Sequence, residues 1–226
     1  MRQSHAGRLT RDKIVAAVTE QLEHSGVDGV STRTIGEALG VHPTALYRHF
    51  RDMDELLREA ADQMLAGVAD QPAIVDEPDS LTAAAALCRA VRTVLMEHPG
   101  AAQVMSKGPS RMTNERAVTE RLLHLLGAAG LPDPEVAGAY HALINYTVGS
   151  AALDTQASAQ SHEEDAERHG SWRAHYLAAV PEAFPSTSRY AALLYPSLEE
   201  QFEFGLELLL DGMRQRVAAG GRAAVS

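Results

Sequence analysis

Apolar residues recur at helical spacing along most of the chain. The first stripe, Ile14, Val18 and Leu22 with Ala17 beside it, predicts a helix that begins after Thr10 as cap and stops at Gly26. The second element begins at Ser31 or Thr32, whose side chain accepts from backbone amides left orphaned in a first helical turn. Ile35, Ala38 and Leu39 form its inward stripe, and Gly40 ends it in a left-handed residue, a conformation glycine adopts at little cost. Pro43 and Thr44 restart a helix, proline being tolerated in a first turn. At about 100° per residue, Leu46 and Phe50 face inward, Thr44 and Arg48 face outward, Tyr47 and Ala45 lie on the flanks, and His49 sits near the buried edge.

A helix pair with a tight glycine turn is how a helix-turn-helix presents a helix to the DNA major groove. Arg48 suits a guanine edge or a phosphate, Thr44 a base or a phosphate, and Tyr47 a phosphate oxygen. Downstream, Asp52 and Glu55 stand at capping-box spacing ahead of a longer helix, 53–70, that carries Leu56, Leu57, Ala60, Met64 and Val68.

The run from Ile14 through Leu57 resembles the DNA-binding domain of the tetracycline-repressor (TetR) family. The resemblance is carried by G-V-S-T-R, L-G-V, A-L-Y-R-H-F and D-M-D-E-L-L. It implies that Thr32, Tyr47 and His49 contact phosphates and that Arg33 reaches a base. Thr44, Ala45 and Arg48 match the outward face of the recognition helix. Many members carry a phosphate-gripping lysine where this chain has Met53, so that contact is missing here.

The remaining stripes predict helices near 81–98 and 114–129, with Leu87, Val91, Val94, Leu95, Leu122, Leu123 and Leu126 inward. A further helix over 133–155 takes Asp133 as cap and carries Val136, Tyr140, Leu143, Ile144, Thr147, Val148 and Ala151. Its small residues Ala139, Ala142, Gly149 and Ala152 would admit a close neighbour. The last helix opens on a capping box, Ser197 with Glu200. It is apolar on more than one side: Leu198, Phe202, Leu206, Leu209 and Met213 on one stripe, Phe204 and Leu208 elsewhere. A terminal helix that is apolar nearly all round is expected to be buried against more than its own domain. Residues 158–171, with His162, Glu163, Glu164, Asp165, Glu167 and His169, read as a solvated loop, and 181–196 as a connecting loop. Between them Trp172 and Tyr176 lie on a short helix expected to cover a pocket mouth or to extend the dimer contact.

The expected fold is therefore all-α, with a helix-turn-helix DNA-binding domain over 1–58 and a larger helical ligand-binding and dimerisation domain over 59–226. The resemblance implies that the 133–155 and C-terminal helices pair with their symmetry mates in a four-helix dimer interface. Tyr140, Leu143, Thr147, Phe202, Leu206, Leu209 and Met213 are the candidate contacts. It also implies a cavity in the body and a ligand-driven pendulum motion of helix 53–70. Candidate lining residues are Leu95, Met96, Met105, Met112, Leu122 and Leu126, methionines being adaptable, with His98, His141, Asn145 and Tyr146 as polar contacts. An apolar lining predicts a lipophilic or aromatic effector.

Charge and composition sharpen this picture. The net charge of −10 divides unevenly. Residues 1–51 hold seven Lys or Arg against five Asp or Glu, and the rest thirteen against twenty-five. An acidic body turns the N-terminal end toward DNA, with Arg2, Arg8, Arg11 and Lys13 as further backbone contacts. Cys88 is alone, which excludes a disulfide framework and a thiolate cluster and reads as a small buried side chain. No apolar run resembles a signal peptide or spans a bilayer, so the protein is expected in the cytoplasm without membrane contact.

The ten histidines invite a search for a helical metal-dependent enzyme, yet no His-Glu-x-x-His, nucleophile elbow or paired Glu-x-x-His occurs. No cofactor or metal is expected. The chain reads as a dimeric transcriptional repressor that binds a palindromic double-stranded operator and is released by a small molecule. An activator of the same fold, or a DNA-binding protein without effector control, remains an alternative reading of these residues.

Overall fold

The computed structural model describes residues 8–157, 170–171, 174–178, 180–194 and 196–223, the side chains at 156–157 and 221–223 excepted. Arg2, His162, Glu163, Glu164, Asp165, Glu167, His169 and Trp172 lie outside the described residues. Among the described residues every regular element is helical, as the recurring helical spacing predicts.

Helix α1 (Arg11–Ser25) starts where Thr10 accepts from the Lys13 amide and ends at Gly26, which has φ 62. Its buried residues Ile14, Val15, Val18 and Leu22 meet α2 (Thr32–Leu39), opened by a capping box of Ser31 with Thr34. Gly40 closes α2 in the left-handed region, φ 65 and ψ 32. Gly36 is buried, and a Cβ there would lie 2.9 Å from the Val41 carbonyl oxygen, so the α2 turn packs too tightly for a side chain. Ala38, expected inward, is exposed, because α2 turns Gly36 rather than Ala38 toward its neighbours.

Residues Pro43–Arg48 wind as a 3₁₀ turn rather than the expected α-helix. Pro43 lacks an amide, and the segment is only six residues long before Arg51 and Asp52 leave it to begin the next helix. Its bonds run three residues back, Ala45 N to His42 O and His49 N to Leu46 O, each at 2.9 Å. Leu46 and Phe50 still point inward, completing a core with Ile14, Val18, Ile35, Leu56 and Ala60.

Helix α3 (Met53–Met64) is capped by Asp52, which accepts from the Glu55 amide at 2.7 Å. It stops at Met64, short of the expected 70, because Leu65 and Val68 turn into the body core and Gly67 takes a left-handed conformation, φ 75. Leu56 and Ala60 belong to the N-terminal core, whereas Ala61 and Leu65 belong to the body core. One helix thus serves both.

The body follows with α4 (Pro72–Val75), α5 (Ser80–Glu97), α6 (Pro99–Met105), α7 (Thr113–Ala128) and α8 (Asp133–Ala157). After it come α9 (Pro185–Tyr190), which falls within the expected loop 181–196, and α10 (Leu198–Ala223). Both α6 and α9 open on a proline, a start signal that their shortness hides in the sequence. Asp133 lies inside the first turn of α8 rather than capping it, since the Pro132 carbonyl already accepts from the Glu135 amide. Helix α5 runs through the centre and packs on α4, α6, α7 and α8. Cys88 on it is buried, and burial pushes its thiol up to about 11. The α6 start presses on α1: a Cβ on Gly100 would lie 3.0 Å from the Leu22 carbonyl oxygen. The reading end is therefore seated directly on the body.

Candidate functional site

The N-terminal end presents a polar ridge made by α2 and the 3₁₀ turn. Thr44, Tyr47 and Arg48 are exposed on it, Tyr47 at 53%, while Ala45 and His49 are half-buried beside them. Thr32 is half-buried at the start of α2, where free amides suit a phosphate oxygen. Arg33 is exposed and paired with Glu37 at 2.8 Å, a surface bridge weak enough for a nucleic acid to displace. His42 escaped the sequence reading although a polar residue before proline is a cap signal. Its ring nitrogen lies 2.8 Å from the Thr44 hydroxyl and fixes that side chain.

Arg11, expected as a free backbone contact, is committed elsewhere. Its guanidinium bonds Glu55 at 2.9 Å, Glu59 and the His49 carbonyl, and lies 4.2 Å from the centre of the Phe50 ring. It is raised above its ordinary value by hydrogen bonds to Glu59 and then Glu55, and in return holds Glu55 below the usual carboxylate range. Arg11 thus fastens α1 to α3 and to the end of the reading turn. Met53 packs half-buried against the N-terminal core and offers no cation.

A cavity of about 270 Å³ opens in the body between α5, the end of α6 and the loop after it, α7 and α8, with Leu65 just past α3 at its edge, near the lower end of small-molecule sites. Of the candidate ligand contacts, Met105, His141 and Asn145 line it, with Ile144, Val148, Val91, Val118, Leu65, Tyr140, Thr119, Glu115, Ser110 and Ser106. The other candidates lie elsewhere. Leu95, Leu122 and Leu126 are at most 1% exposed, consumed by the packing of α5 against α7. Met96 packs half-buried on the same core, and Met112 sits at the α7 cap. Tyr146 faces α10, where it stacks on Phe202 and donates to the Gln201 and Phe202 carbonyls at 3.0 and 3.1 Å. Gly205 makes room for that ring, since a Cβ there would lie 2.0 Å from the Tyr146 oxygen. His98 stands at the α5–α6 junction with Nδ1 3.4 Å from Glu23, away from the cavity.

The candidate dimer contacts also divide. Leu143, Thr147, Phe202, Leu206 and Met213 are buried within their own chain, at most 5% exposed, so they have no surface left for a second copy. Tyr140 lines the cavity, and Leu209 is half-buried. What α8 and α10 leave exposed is the other side: Leu153 and Phe204 at 69% and Leu208 at 58%. Leu208 borders a groove with Gly138, Ala142 and Gly212, and nothing stands within 4 Å of a Cβ on either glycine.

The residue that joins the two ends is Asp62, which no local pattern singled out. It lies on α3, 4% exposed, and its side chain accepts four hydrogen bonds from the start of α7. Ser110 Oγ donates at 2.9 Å and the Glu115 amide at 2.8 Å to one oxygen; the Asn114 amide and side chain donate at 3.1 and 3.0 Å to the other. An acidic group at a helix N-terminus satisfies orphan amides and the helix dipole together. Ser110 and Glu115 also line the cavity, so Asp62 ties its wall to α3. The turn is held in shape by Arg111, which takes φ 64 while its amide donates to Glu115.

Among the described residues no cluster of His, Cys, Asp or Glu could hold a metal, and no helix is long and apolar enough to cross a membrane. Residues 14–60 match the family model for bacterial regulatory proteins of the tetR family, and residues 76–217 the model for the tetracyclin repressor-like C-terminal domain. A transcriptional regulator of Saccharopolyspora erythraea is 30% identical, covering 91% of this chain and 84% of its own. The class C tetracycline repressor of Escherichia coli is 30% identical, with 92% of each chain covered. A solved TetR-family structure from Streptomyces coelicolor superposes with a TM-score of 0.78 at 29% identity, over 91% of this chain and 99% of that one. The chain belongs to the tetracycline-repressor family of ligand-responsive, DNA-binding transcriptional regulators, which are not enzymes.

Proposed function

We propose that this regulator is a cytoplasmic repressor that grips a palindromic operator as a homodimer and releases it when a small apolar molecule fills the cavity. The observation that carries the release step is Asp62, a residue of the helix behind the reading turn that accepts hydrogen bonds from the cavity wall. A ligand that shifts Ser110 or the first turn of α7 moves the acceptor of their hydrogen bonds, and α3 with it. Two reading turns serve one operator only while they stand roughly 34–36 Å apart, so a small tilt of α3 lowers affinity. The ligand lowers affinity only as far as it prefers the tilted form.

Three features support pairing through the outer face of α8 and α10. Leu153, Phe204 and Leu208 form an exposed apolar strip, small residues beside it admit a close neighbour, and a single reading turn touches too few bases for useful specificity. Relatives named repressors, including the class C tetracycline repressor, support the sign of regulation. Selection of bound fragments from genomic DNA, followed by footprinting, tests the reading. It requires a two-fold-symmetric protected site overlapping a promoter; an asymmetric site, or none, rejects it.

A further inference from the structure

The cavity has committed its hydroxyl protons before any ligand arrives. Thr119 Oγ1 donates to the Glu115 carboxylate at 2.7 Å. Its single proton is then spent, so at the 2.9 Å contact between Tyr140 and Thr119 the phenol must be the donor. Ser110 gives its proton to Asp62 at 2.9 Å, and Ser106 gives its own to the Gln103 carbonyl at 2.9 Å. Four lining hydroxyls have therefore spent their protons, and the Tyr140–Thr119 pair ends on the Glu115 carboxylate.

No cation answers that carboxylate. Among the described residues no Lys or Arg pairs with Glu115, which takes only the Thr119 hydroxyl and the Arg111 amide at 3.2 Å. The nearby cationic side chains, Lys107 and Arg111, are exposed and do not line the cavity. Among the described lining residues, the side-chain donors left are at the exposed mouth, on His141 and Asn145. A neutral ligand that sealed this space would strip water from Glu115 without replacing it, and an anion would add repulsion. An ammonium group supplies several donors and no acceptor, which is the complement of this wall.

We propose that the effector is an amine: an apolar, ring-bearing molecule that places a protonated nitrogen against Glu115 and the Tyr140 oxygen. The inference rests on the cavity being the effector site. It gives Glu115 two tasks, since its side chain meets the ligand while its amide holds Asp62. Capture of the amine therefore acts directly on the α7 turn that anchors α3.

Calorimetric titration of the full-length protein with three probes of one shape tests this: 2-naphthylmethylamine, 2-naphthylmethanol and 2-naphthoate. The expected order is amine tightest and carboxylate weakest, with about tenfold or more between those two, equal to about 1.4 kcal/mol. In Glu115→Gln that gap closes while the alcohol binds as before. In Ile144→Trp, which fills the cavity, all three lose binding. Equal affinities, a tighter carboxylate, or a gap that survives Glu115→Gln overturns the amine assignment; loss of binding in Ile144→Trp would then still locate the probes in the cavity. Binding of no probe, or binding untouched by Ile144→Trp, rejects the cavity as the site and the amine assignment with it.

Discussion

Ser110 donates its hydroxyl to Asp62 across 2.9 Å, linking the wall of the body cavity to the helix that supports the reading turn. The acceptor is buried and serves three further donors. Asp62→Ala leaves all four without a partner and is expected to cost about 2–3 kcal/mol. Ser110→Ala removes one bond and costs roughly 1 kcal/mol. Urea unfolding monitored by circular dichroism checks both, the midpoint falling while the slope stays unchanged.

The recognition ridge makes an independent prediction. Arg48→Ala or Tyr47→Ala is expected to weaken operator binding by about 1–3 kcal/mol without lowering the melting temperature, since both side chains are exposed. Arg11→Met behaves differently. It unfastens α1 from Glu55 and Glu59, so operator affinity and melting temperature fall together. Fluorescence anisotropy on a labelled duplex, paired with thermal melts of each variant, separates the two classes.

Two neighbouring phenylalanines on α10 have opposite surroundings. Phe202 is 1% exposed, stacked on Tyr146 and covered by Arg92, whereas Phe204 is 69% exposed. Phe202→Ala is expected to cost about 3–5 kcal/mol of stability. Phe204→Glu with Leu208→Glu is expected to leave the fold intact and to shift the proposed dimer toward monomer. Sedimentation velocity across a concentration series reads the second outcome, and thermal unfolding the first.

Acid and alkali act on different groups. Asp52 is held below its usual range by the Glu55 amide and Arg51, Asp79 by the Thr82 hydroxyl and amide, and Glu203 by Arg89. Each is favoured as the carboxylate in the folded state, so its contribution is present above the ordinary carboxylate range of about 4 and is lost as pH falls through the lower folded values. Cys88 is the reverse: burial raises it to about 11, so its contribution is present below the unfolded value and is lost as pH rises from about 9 toward 11. At pH 8 a thiol-specific reagent is expected to label the native protein at the rate of global opening, and the unfolded protein at once.

Helix starts are legible where their signals are local. Thr10, Ser31, Asp52 and Ser197 each hydrogen-bond an amide three residues on, a relation that short polar side chains encode by themselves. The end of α3 is not local: Met64 is the last helical residue because Leu65 and Val68 have partners in the body core. Asp62 looks like any acid in a helix, since its donors lie 48 to 53 residues away. A 3₁₀ turn and an α-helix share the inward positions Leu46 and Phe50, so periodicity could not tell them apart over six residues. The stripe Phe202, Leu206 and Met213 shows the same limit. Apolar spacing marks what is covered, and only packing tells which chain covers it.

The mass of the protein–DNA complex tests the central claim most directly. On a short duplex carrying one selected site, sedimentation equilibrium is expected to find two chains per duplex, and Phe204→Glu with Leu208→Glu to lower occupancy at equal protein concentration. One chain per duplex, bound as tightly in that double variant as in the natural chain, would contradict it.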